Sequence, residues 1–502
     1  MLRRLRWYAA APILAAMPVI NAAKLYSASV PISLGQVVRD CVVLMVLTAA
    51  IAVVLLLSGG SDRSKGAALS LGVLLAGAYP SLAGAIDVTP CSTADFALGT
   101  AFVALLSLAF WALSRWQRPV LDSSHSVLTL LVVLTVAYIA YSGLVRWTRS
   151  DAAASLANPG GAVVALPPGP RPPDIIHIVF DGLGRLDVLQ QSYGVDAPSI
   201  ESALTGAGLT ISHRAVANYS QTFPAVASML SMRYLDDVER LGGEGNDRTI
   251  ALAVIQQSSV IRALKARGYS FTLLSSGYEA LVEHPLADDG VFGPTWFDQF
   301  ESYLLPRTML RMAPWPSLTY EPHRRRTAAV FEALQSFAQG PRPRYVLAHV
   351  LLPHPPFIFD GRGRELRPDG IFSLQDGNAF PGSADDYRRG YAGQAAYVFS
   401  RLEQLVRTWD RLPVPPIVIV HGDHGPGLGY DIRTPERSNV RDRMRIFLAT
   451  RMPNPAGTVD SPVNVYRQLF RTVFGVGITP LADRSYVSSW ARPYHFQEVR
   501  VQ

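Results

Sequence analysis

Four short segments of the chain each carry a side chain suited to metal-assisted group transfer. Asp181 follows an apolar run in DIIHIVFDGLGR, and Thr222 sits in NYSQTFPAVASML. His354 lies in HVLLPHPPF, and the adjacent pair Asp423 and His424 in IVIVHGDHGPG. Carboxylate oxygen and imidazole nitrogen both suit zinc or manganese. A threonine hydroxyl is a poor nucleophile until a metal or a base activates it. A further imidazole can bind a phosphate oxygen or protonate a leaving group. Hard ligands, an alcohol and a spare histidine are the parts that metal-assisted phosphoryl transfer needs.

Each residue also has a plainer reading. An Asp at a strand end is costly when buried unless it is paired or bound to a metal, yet it is equally at home as a loop cap. Gly182 and Gly184 let the backbone approach a ligand closely, and Arg185 either contacts phosphate or forms a surface ion pair. Thr222 alone reads as a helix N-cap. Beside the other segments it reads as the nucleophile and a metal ligand, at a helix start whose free N–H groups favour an anion. Ser220 is the fallback nucleophile, and Asn218 a candidate substrate contact. Asp423 and His424 can share one ion only where the chain turns sharply, which Gly422 and Gly425 permit. His421 reads as supporting or structural and His349 as a packed core residue. His323 and His495 are weaker candidates.

Strands are expected at 174–180, 209–213, 270–275, 344–351, 416–420 and 444–449, and helices at 223–232, 251–267, 324–338, 387–408 and 463–473. Near-continuous apolar strands alternating with helices point to an α/β domain whose mostly parallel sheet is covered on both faces. Ligands in such sheets bind beyond the carboxyl ends of the strands, where Asp181 and Asp423-His424 fall.

The two ends of the chain differ sharply. Residues 1–150 hold 11 Lys and Arg against 5 Asp and no Glu, whereas the remaining 352 residues hold 35 against 34. The basic excess therefore belongs to the apolar part, which argues against a nucleic-acid partner and for membrane insertion. Spans of the required ~20 apolar residues are expected near 7–27, 37–58, 67–88, 95–115 and 126–147. Arg3, Arg4, Arg6, Arg63, Lys65, Arg115 and Arg118 then fall on the cytoplasmic side, and five spans export everything after residue 150; Arg146 and Arg149 argue mildly the other way. Cys41 and Cys91 lie near the outer ends of their spans, either paired or as two separate thiols. The Ala/Gly/Pro-rich stretch 150–173 reads as a linker. The expected domains are a transmembrane domain over 1–149, that linker, and an exported domain over 174–502. The segment 300–326 mixes Tyr303, Met309, Leu310 and Trp315 with several Arg, and either lies at the membrane surface or folds over the core.

At these residues the chain resembles the alkaline phosphatase superfamily, most closely the membrane-anchored branch with the phosphoethanolamine transferases and lipoteichoic acid synthases. That branch has five transmembrane helices and an exported, sulfatase-like catalytic domain. The resemblance implies that Asp181 is the first metal ligand (often Glu in the transferases) and that Thr222 is the nucleophile that becomes covalently loaded. It implies that Asp423 and His424 are the Asp-His metal pair and that His354 binds substrate. TFPAVASMLS is similar to the transferases' Thr-containing helix start, and TFP also to the nucleotide pyrophosphatase branch. The helix with Tyr391, Gln394 and Tyr397 resembles the one after the His354 loop. Ligands for a second metal are not evident, so one principal zinc or manganese ion is expected. Position 222 is neither Cys nor Ser, the precursors of formylglycine, which speaks against sulfatase chemistry.

The expected function is a phosphotransferase in the bacterial inner membrane, multi-pass, with its catalytic domain on the periplasmic or extracellular side. It would move phosphoethanolamine or phosphoglycerol from a phospholipid donor to a lipid or glycan acceptor through a phospho-threonine. The alternatives are a metal-dependent phosphodiesterase or phosphatase and a non-catalytic envelope-binding relative. Oligomeric state is not legible.

Overall fold

The computed structural model describes residues 7–26, 34–58, 62–85, 97–105, 108, 164–169, 172–278, 281–292, 299–308, 311, 316–338, 343–368, 372–453 and 457–501. The chain divides into two compact units. One comprises Met1–Asp151, Phe300–Thr319 and Asp369–Phe372; the other comprises Ala152–Gln299, Tyr320–Pro368 and Ser373–Gln502.

The first unit contains α1 (Ala10–Tyr26), α2 (Leu34–Leu57) and α3 (Asp62–Ala85). Among the described residues one helix is long and apolar enough to cross a membrane, over the 21 residues Val37–Leu57. Val46, Val54 and Leu57 on α2 stay exposed, and its last carbonyls are met by Lys65, whose ammonium donates to Leu55 O and Ser58 O. The apolar part of α1, Ala10–Ala23, is shorter and contains Pro18. Helix α3 opens on Asp62, Arg63 and Lys65 and contains Pro80. Of the five spans expected from sequence, one is met among the described residues by a helix of that length and hydropathy. The span at 126–147 lies outside the described residues, as does part of 95–115. Cys91 lies outside them too, so the pairing with Cys41 stays an expectation. The segment after residue 299 joins this unit: Phe300 and Leu304 pack with Val19 and Ala22. Met309, Leu310 and Trp315 lie outside the described residues.

The second unit is built on a seven-stranded sheet in the order β2-β7-β6-β1-β5-β3-β4. The strands are β1 (Ile175–Phe180), β2 (Thr210–Ile211), β3 (Ser270–Ser275), β4 (Asp289–Phe292), β5 (Arg344–Val350), β6 (Ile417–Gly422) and β7 (Leu448–Arg451). β1 pairs in parallel with β5 and β6, and β3 in parallel with β5 and β4; β7 runs antiparallel to β6 and to β2. The helices used below are α4 (Leu186–Tyr193), α5 (Ala197–Gly206), α6 (Thr222–Ser231), α7 (Thr249–Gln256), α8 (Ser259–Ala266), α9 (Pro316–Gln335), α10 (Ala384–Asp410) and α11 (Pro462–Phe474). Successive strand side chains point to opposite faces. His177 of β1 packs on Tyr466 of α11 at 5.3 Å between rings, while Phe180, three residues on, packs on Phe331 of α9 at 6.5 Å. Helices therefore cover both faces of β1, and every residue of β1, β5 and β6 is buried.

The expected helix 251–267 is two helices, α7 and α8. Ser258 interrupts it: its hydroxyl accepts from Ile261 N at 3.1 Å, an N-cap bond, and donates to Leu230 O at 2.9 Å. The strand expected at 444–449 begins only at Leu448, because Val440–Met444 is helical behind an Asn439 cap. Helices α4 and α5 and strand β4 were not expected.

Burial shifts three histidines, His177 of β1, His421 of β6 and His323 of α9, toward their neutral forms. Burial pushes the pKa of His177 well down, that of His421 to about 4 and that of His323 to about 3. In the unfolded chain each titrates near 6.5, so the unfolded state takes up protons first as pH falls. Stability from these groups is complete above about pH 6.5 and is lost on acidification toward their folded values, by up to ~1.4 kcal/mol per pH unit per histidine. Denaturant midpoints measured between pH 7 and pH 4 are expected to fall steadily; a flat profile contradicts this.

Candidate active site

The register of the sheet sets the site. Phe180 aligns with Gly422 across β1 and β6, so both strands end at the same level and release Asp181 and Asp423 side by side. Gly182, at φ +77°, turns the chain after Asp181, and its N–H donates to Asp423 Oδ1 at 3.0 Å. His424 N donates to the same oxygen at 2.9 Å. Gly422 and Gly425 are required by close approach: a Cβ would come within 2.3 Å of Leu183 O at Gly422 and within 2.1 Å of Asp442 O at Gly425.

His424 Nε2 lies 3.5 Å from Asp181 Oδ1, 3.5 Å from Asp423 Oδ2 and 3.5 Å from Thr222 Oγ1. Its Nδ1 is 3.0 Å from Gly425 O, an acceptor, so Nδ1 carries the hydrogen and Nε2 the lone pair. Residues separated by more than 200 positions therefore converge on one point. Thr222 is the first residue of α6 but not its cap. Gln221 holds the N-cap position without a side-chain cap bond, its amide donating instead to Ser488 O at 2.9 Å. The threonine hydroxyl is thus available to the site, 3.5 Å from His424 Nε2 and beside the two carboxylates.

The site is crowded with negative charge. Asp181 is pushed well above the usual carboxylate range by burial and by Asp423 beside it. Burial also pushes Asp423 up, but His424, His349, the Thr222 hydroxyl and Gly182 N outweigh it and hold this carboxyl low. Asp181 Oδ1 and Asp423 Oδ2 are buried without a hydrogen-bond partner. Two facing carboxylates with orphaned oxygens and an inward imidazole lone pair fit a divalent cation. Asp181, Asp423 and His424 would hold it, with Thr222 Oγ1 adjacent.

His349 also belongs here. Its place within β5 favours a packed core residue, and it is fully buried there. His349 Nε2 is 3.7 Å from Asp181 Oδ2, neither ring nitrogen has a hydrogen-bond partner, and one ligand atom each from Asp181, His349 and Asp423 lies within 4.8 Å of the others. His421 faces the same side two residues before Asp423, with Nε2 3.2 Å from Met229 Sδ.

Two further residues escaped sequence reasoning. Arg443 is buried with Nη2 3.1 Å from His424 Nε2 and Nη1 2.8 Å from Asp376 Oδ2. Asp376 sits 3.7 Å from His354 Nε2. Burial pushes the Asp376 carboxyl up, but His354, Arg443 and Tyr387 draw it down to about 2. His354 Nδ1 is 2.6 Å from Pro355 O, which directs Nε2 toward this side of the site.

Helix α10 fastens the loops. Ser383 and Asp386 form a capping box at its start. Tyr387, Tyr391 and Gln394 follow at helical spacing on one face. The Tyr387 hydroxyl donates to Asp376 Oδ1 at 2.7 Å and accepts from Gly427 N at 2.8 Å. The Tyr391 hydroxyl donates to Gly182 O at 2.7 Å and accepts from Gly184 N at 3.0 Å. Gln394 accepts from Ile358 N at 2.9 Å and donates to His354 O at 3.0 Å.

Two expected substrate contacts are otherwise engaged. The Asn218 side chain accepts from Val463 N at 2.8 Å and donates to Arg484 O at 3.0 Å, which fixes the α6 approach rather than facing the site. Arg185 forms a two-pronged ion pair with Asp187 at 2.7 and 2.9 Å, with its guanidinium largely buried. Ser220 O accepts from Arg443 Nε at 3.1 Å, and the Ser220 hydroxyl is 3.4 Å from Ser488 N. Tyr397 rings with Phe359, at 4.9 Å, outside the set of loop-holding hydroxyls. His495 donates its backbone N–H to Arg492 O.

Fold and site together define an alkaline phosphatase-like α/β domain. The chain belongs to the sulfatase family, whose sequence profile matches residues 173–462. No curated protein matches the chain. Among solved structures it is similar to the C-terminal periplasmic domain of EcEptC from Escherichia coli in complex with Zn, at 15% identity, 66% of this chain, 96% of that one and a TM-score of 0.44. It is similar to the phosphonate monoester hydrolase of Agrobacterium radiobacter, at 14% identity, 63% and 80% coverage and a TM-score of 0.42. It is also similar to the periplasmic domain of the phosphoethanolamine transferase EptC from Campylobacter jejuni, at 11% identity, 61% and 89% coverage and a TM-score of 0.36.

Proposed function

We propose that the chain is a membrane-anchored, metal-dependent phosphotransferase that moves a phospholipid headgroup, phosphoethanolamine or phosphoglycerol, to an envelope lipid or glycan. One observation carries this reading. The Thr222 hydroxyl, freed from capping, sits 3.5 Å from a histidine lone pair and against two buried carboxylates. Family membership supports an esterase-type reaction centre. A threonine at this position favours phosphoryl over sulfuryl chemistry, since it cannot mature to formylglycine.

Asp181, Asp423 and His424 hold one zinc or manganese ion in this reading, which supplies charge neutralisation for the threonine oxygen and the transferring phosphate. Thr222 Oγ1 attacks the phosphorus of the donor diester, and its hydrogen passes to a carboxylate oxygen of Asp181 or Asp423 beside it. The bond from phosphorus to the diacylglycerol oxygen breaks. His354, whose Nε2 faces the site beside Asp376, delivers the proton that this oxygen needs. The headgroup phosphate is left on Thr222 until an acceptor hydroxyl takes it. The first two N–H groups of α6 have no helical acceptor and favour the added negative charge. Helix α2 would anchor the chain to a bacterial inner membrane, with the catalytic unit on the periplasmic side, and so raise the local concentration of lipid donor.

Peptide mass spectrometry of the protein purified from membranes tests this. A headgroup phosphate on Thr222 is expected, with an acceptor carrying the same group in lipids from expressing cells. Free headgroup phosphate without a modified acceptor would indicate hydrolysis instead. An unmodified Thr222 in protein that still turns over donor lipid would sink the mechanism.

A further inference from the structure

We infer that residues 300–308 form a foot seated in the surface of the bilayer, with Arg307 binding phospholipid phosphate there; this rests on α2 spanning that bilayer, as proposed above. The chain enters the helical unit at Phe300 and leaves it after Thr319, so the foot belongs to a different unit from Asp181, Asp423 and His424. A short helix, Gln299–Leu304, runs into a 3₁₀ turn, Leu305–Arg307. Phe300 and Leu304 lie four residues apart on one face of that helix. They are buried with Val19 and Ala22 of α1, and Val37, Cys41 and Leu44 of α2 pack around them.

Depth follows from α2. Its apolar window, Val37–Leu57, is 21 residues long. At a rise of about 1.5 Å per residue that is ~31 Å, which matches a hydrocarbon core of ~30 Å. Val37 therefore stands at one edge of the core. Leu44 is about 10 Å further along the axis. The segment packed on Val37, Cys41 and Leu44 thus lies at the depth where interfacial helices settle, ~5–10 Å into the boundary between headgroups and acyl chains. An exported chain meets α2 only at its outward end, so α2 starts outside. Arg3, Arg4 and Arg6 before α1 give the same direction.

The charges fit that level. Arg39, two residues into the window, pairs with Glu301 and lies 2.8 Å from Asp40. A charge so placed is costly without a partner, and Glu301 latches the foot to α2. Arg307 is used differently. It is exposed, its guanidinium lies 3.5 Å over the Tyr303 ring, and its Nη1 donates to Tyr303 O at 2.7 Å. It has no acidic partner among the described residues. Tyrosine and arginine are the residues that settle at a membrane surface, and the lipid phosphodiester is the anion found there. A planar guanidinium suits its oxygens.

The test uses the full chain in nanodiscs of phosphatidylethanolamine with phosphatidylglycerol. A nitroxide on Ser302→Cys, with Cys41→Ala and Cys91→Ser, reports depth by its relative exposure to oxygen and to a water-soluble nickel complex. A depth at the headgroup boundary is expected; a fully aqueous label, or one at mid-bilayer, overturns the inference. Headgroup release is then measured from nanodisc lipid and from the same lipid in dihexanoyl form, dissolved as monomer. Arg307→Glu is expected to raise KM for nanodisc lipid by ~10-fold, from one basic attraction lost and one repulsion gained at an anionic surface. Its kcat, and both constants for the dissolved lipid, should match wild type. Arg307→Lys keeps the charge and should stay within ~3-fold of wild type. An unchanged KM in Arg307→Glu, or an equal loss on the dissolved lipid, overturns the phosphate contact. A label at the expected depth in a wild type that releases no headgroup from either substrate would support the foot and sink the phosphotransferase reading instead.

Discussion

Thr222→Ala is expected to lower headgroup release and transfer by roughly 10⁴-fold or more, the scale seen when a covalent nucleophile is removed. The change deletes a hydroxyl that caps nothing, since Gln221 occupies the N-cap of α6. The helix should therefore keep its stability, and the variant should fold and melt as the wild type does. Thr222→Ser restores the oxygen without the methyl and should recover much of the rate. The same variant should bind zinc only somewhat more weakly, because Asp181, Asp423 and His424 remain. Measuring lipid turnover with melting temperature separates the possibilities. Activity retained in Thr222→Ala would remove the nucleophile from the mechanism, and Ser220 would be the residue to examine next.

The second large effect concerns the carboxylate pair. Asp423→Asn should abolish tight metal binding and activity together, since it removes a ligand charge while keeping the shape. Asp181→Asn should do the same, but with an opposite effect on the metal-free fold. Burial and Asp423 make the charged form of Asp181 unfavourable. A neutral amide relieves that, so the metal-stripped Asp181→Asn protein should melt at or above the stripped wild type. Zinc should then raise the wild-type melting temperature strongly, by ~4 kcal/mol of stability at a thousandfold excess over Kd, and leave the variant unmoved. Thermal melts with and without chelator read both effects. A stripped Asp181→Asn protein that is less stable than the stripped wild type would contradict the charge repulsion.

The parts of this site readable from sequence are those announced by a change in pattern. Asp181 and Asp423 interrupt apolar strands, and His354 stands between prolines after a third. A buried strand hides its functional residues differently. β5 is covered on both faces, so no alternation distinguishes His349 from its packed neighbours. Arg443 lies in RDRMR, which reads as solvated charge until tertiary structure folds it inward. Asp376 sits in a loop with no periodicity at all. Asn218, a polar residue beside the expected nucleophile, braces backbone at Val463 N and Arg484 O, a use that its sequence position does not announce. Helix α10 was legible because its apolar and aromatic positions recur at helical spacing, whereas the break between α7 and α8 depended on one serine bonding to Leu230.

Helix α10 has a consequence for how this chain can vary. Tyr387, Tyr391 and Gln394 reach three separate loops from a single stripe of one helix. Adding or deleting one residue between them would rotate the later positions by about 100° about the axis and unhook those loops together. Length changes among descendants of this sequence should therefore collect outside 387–394.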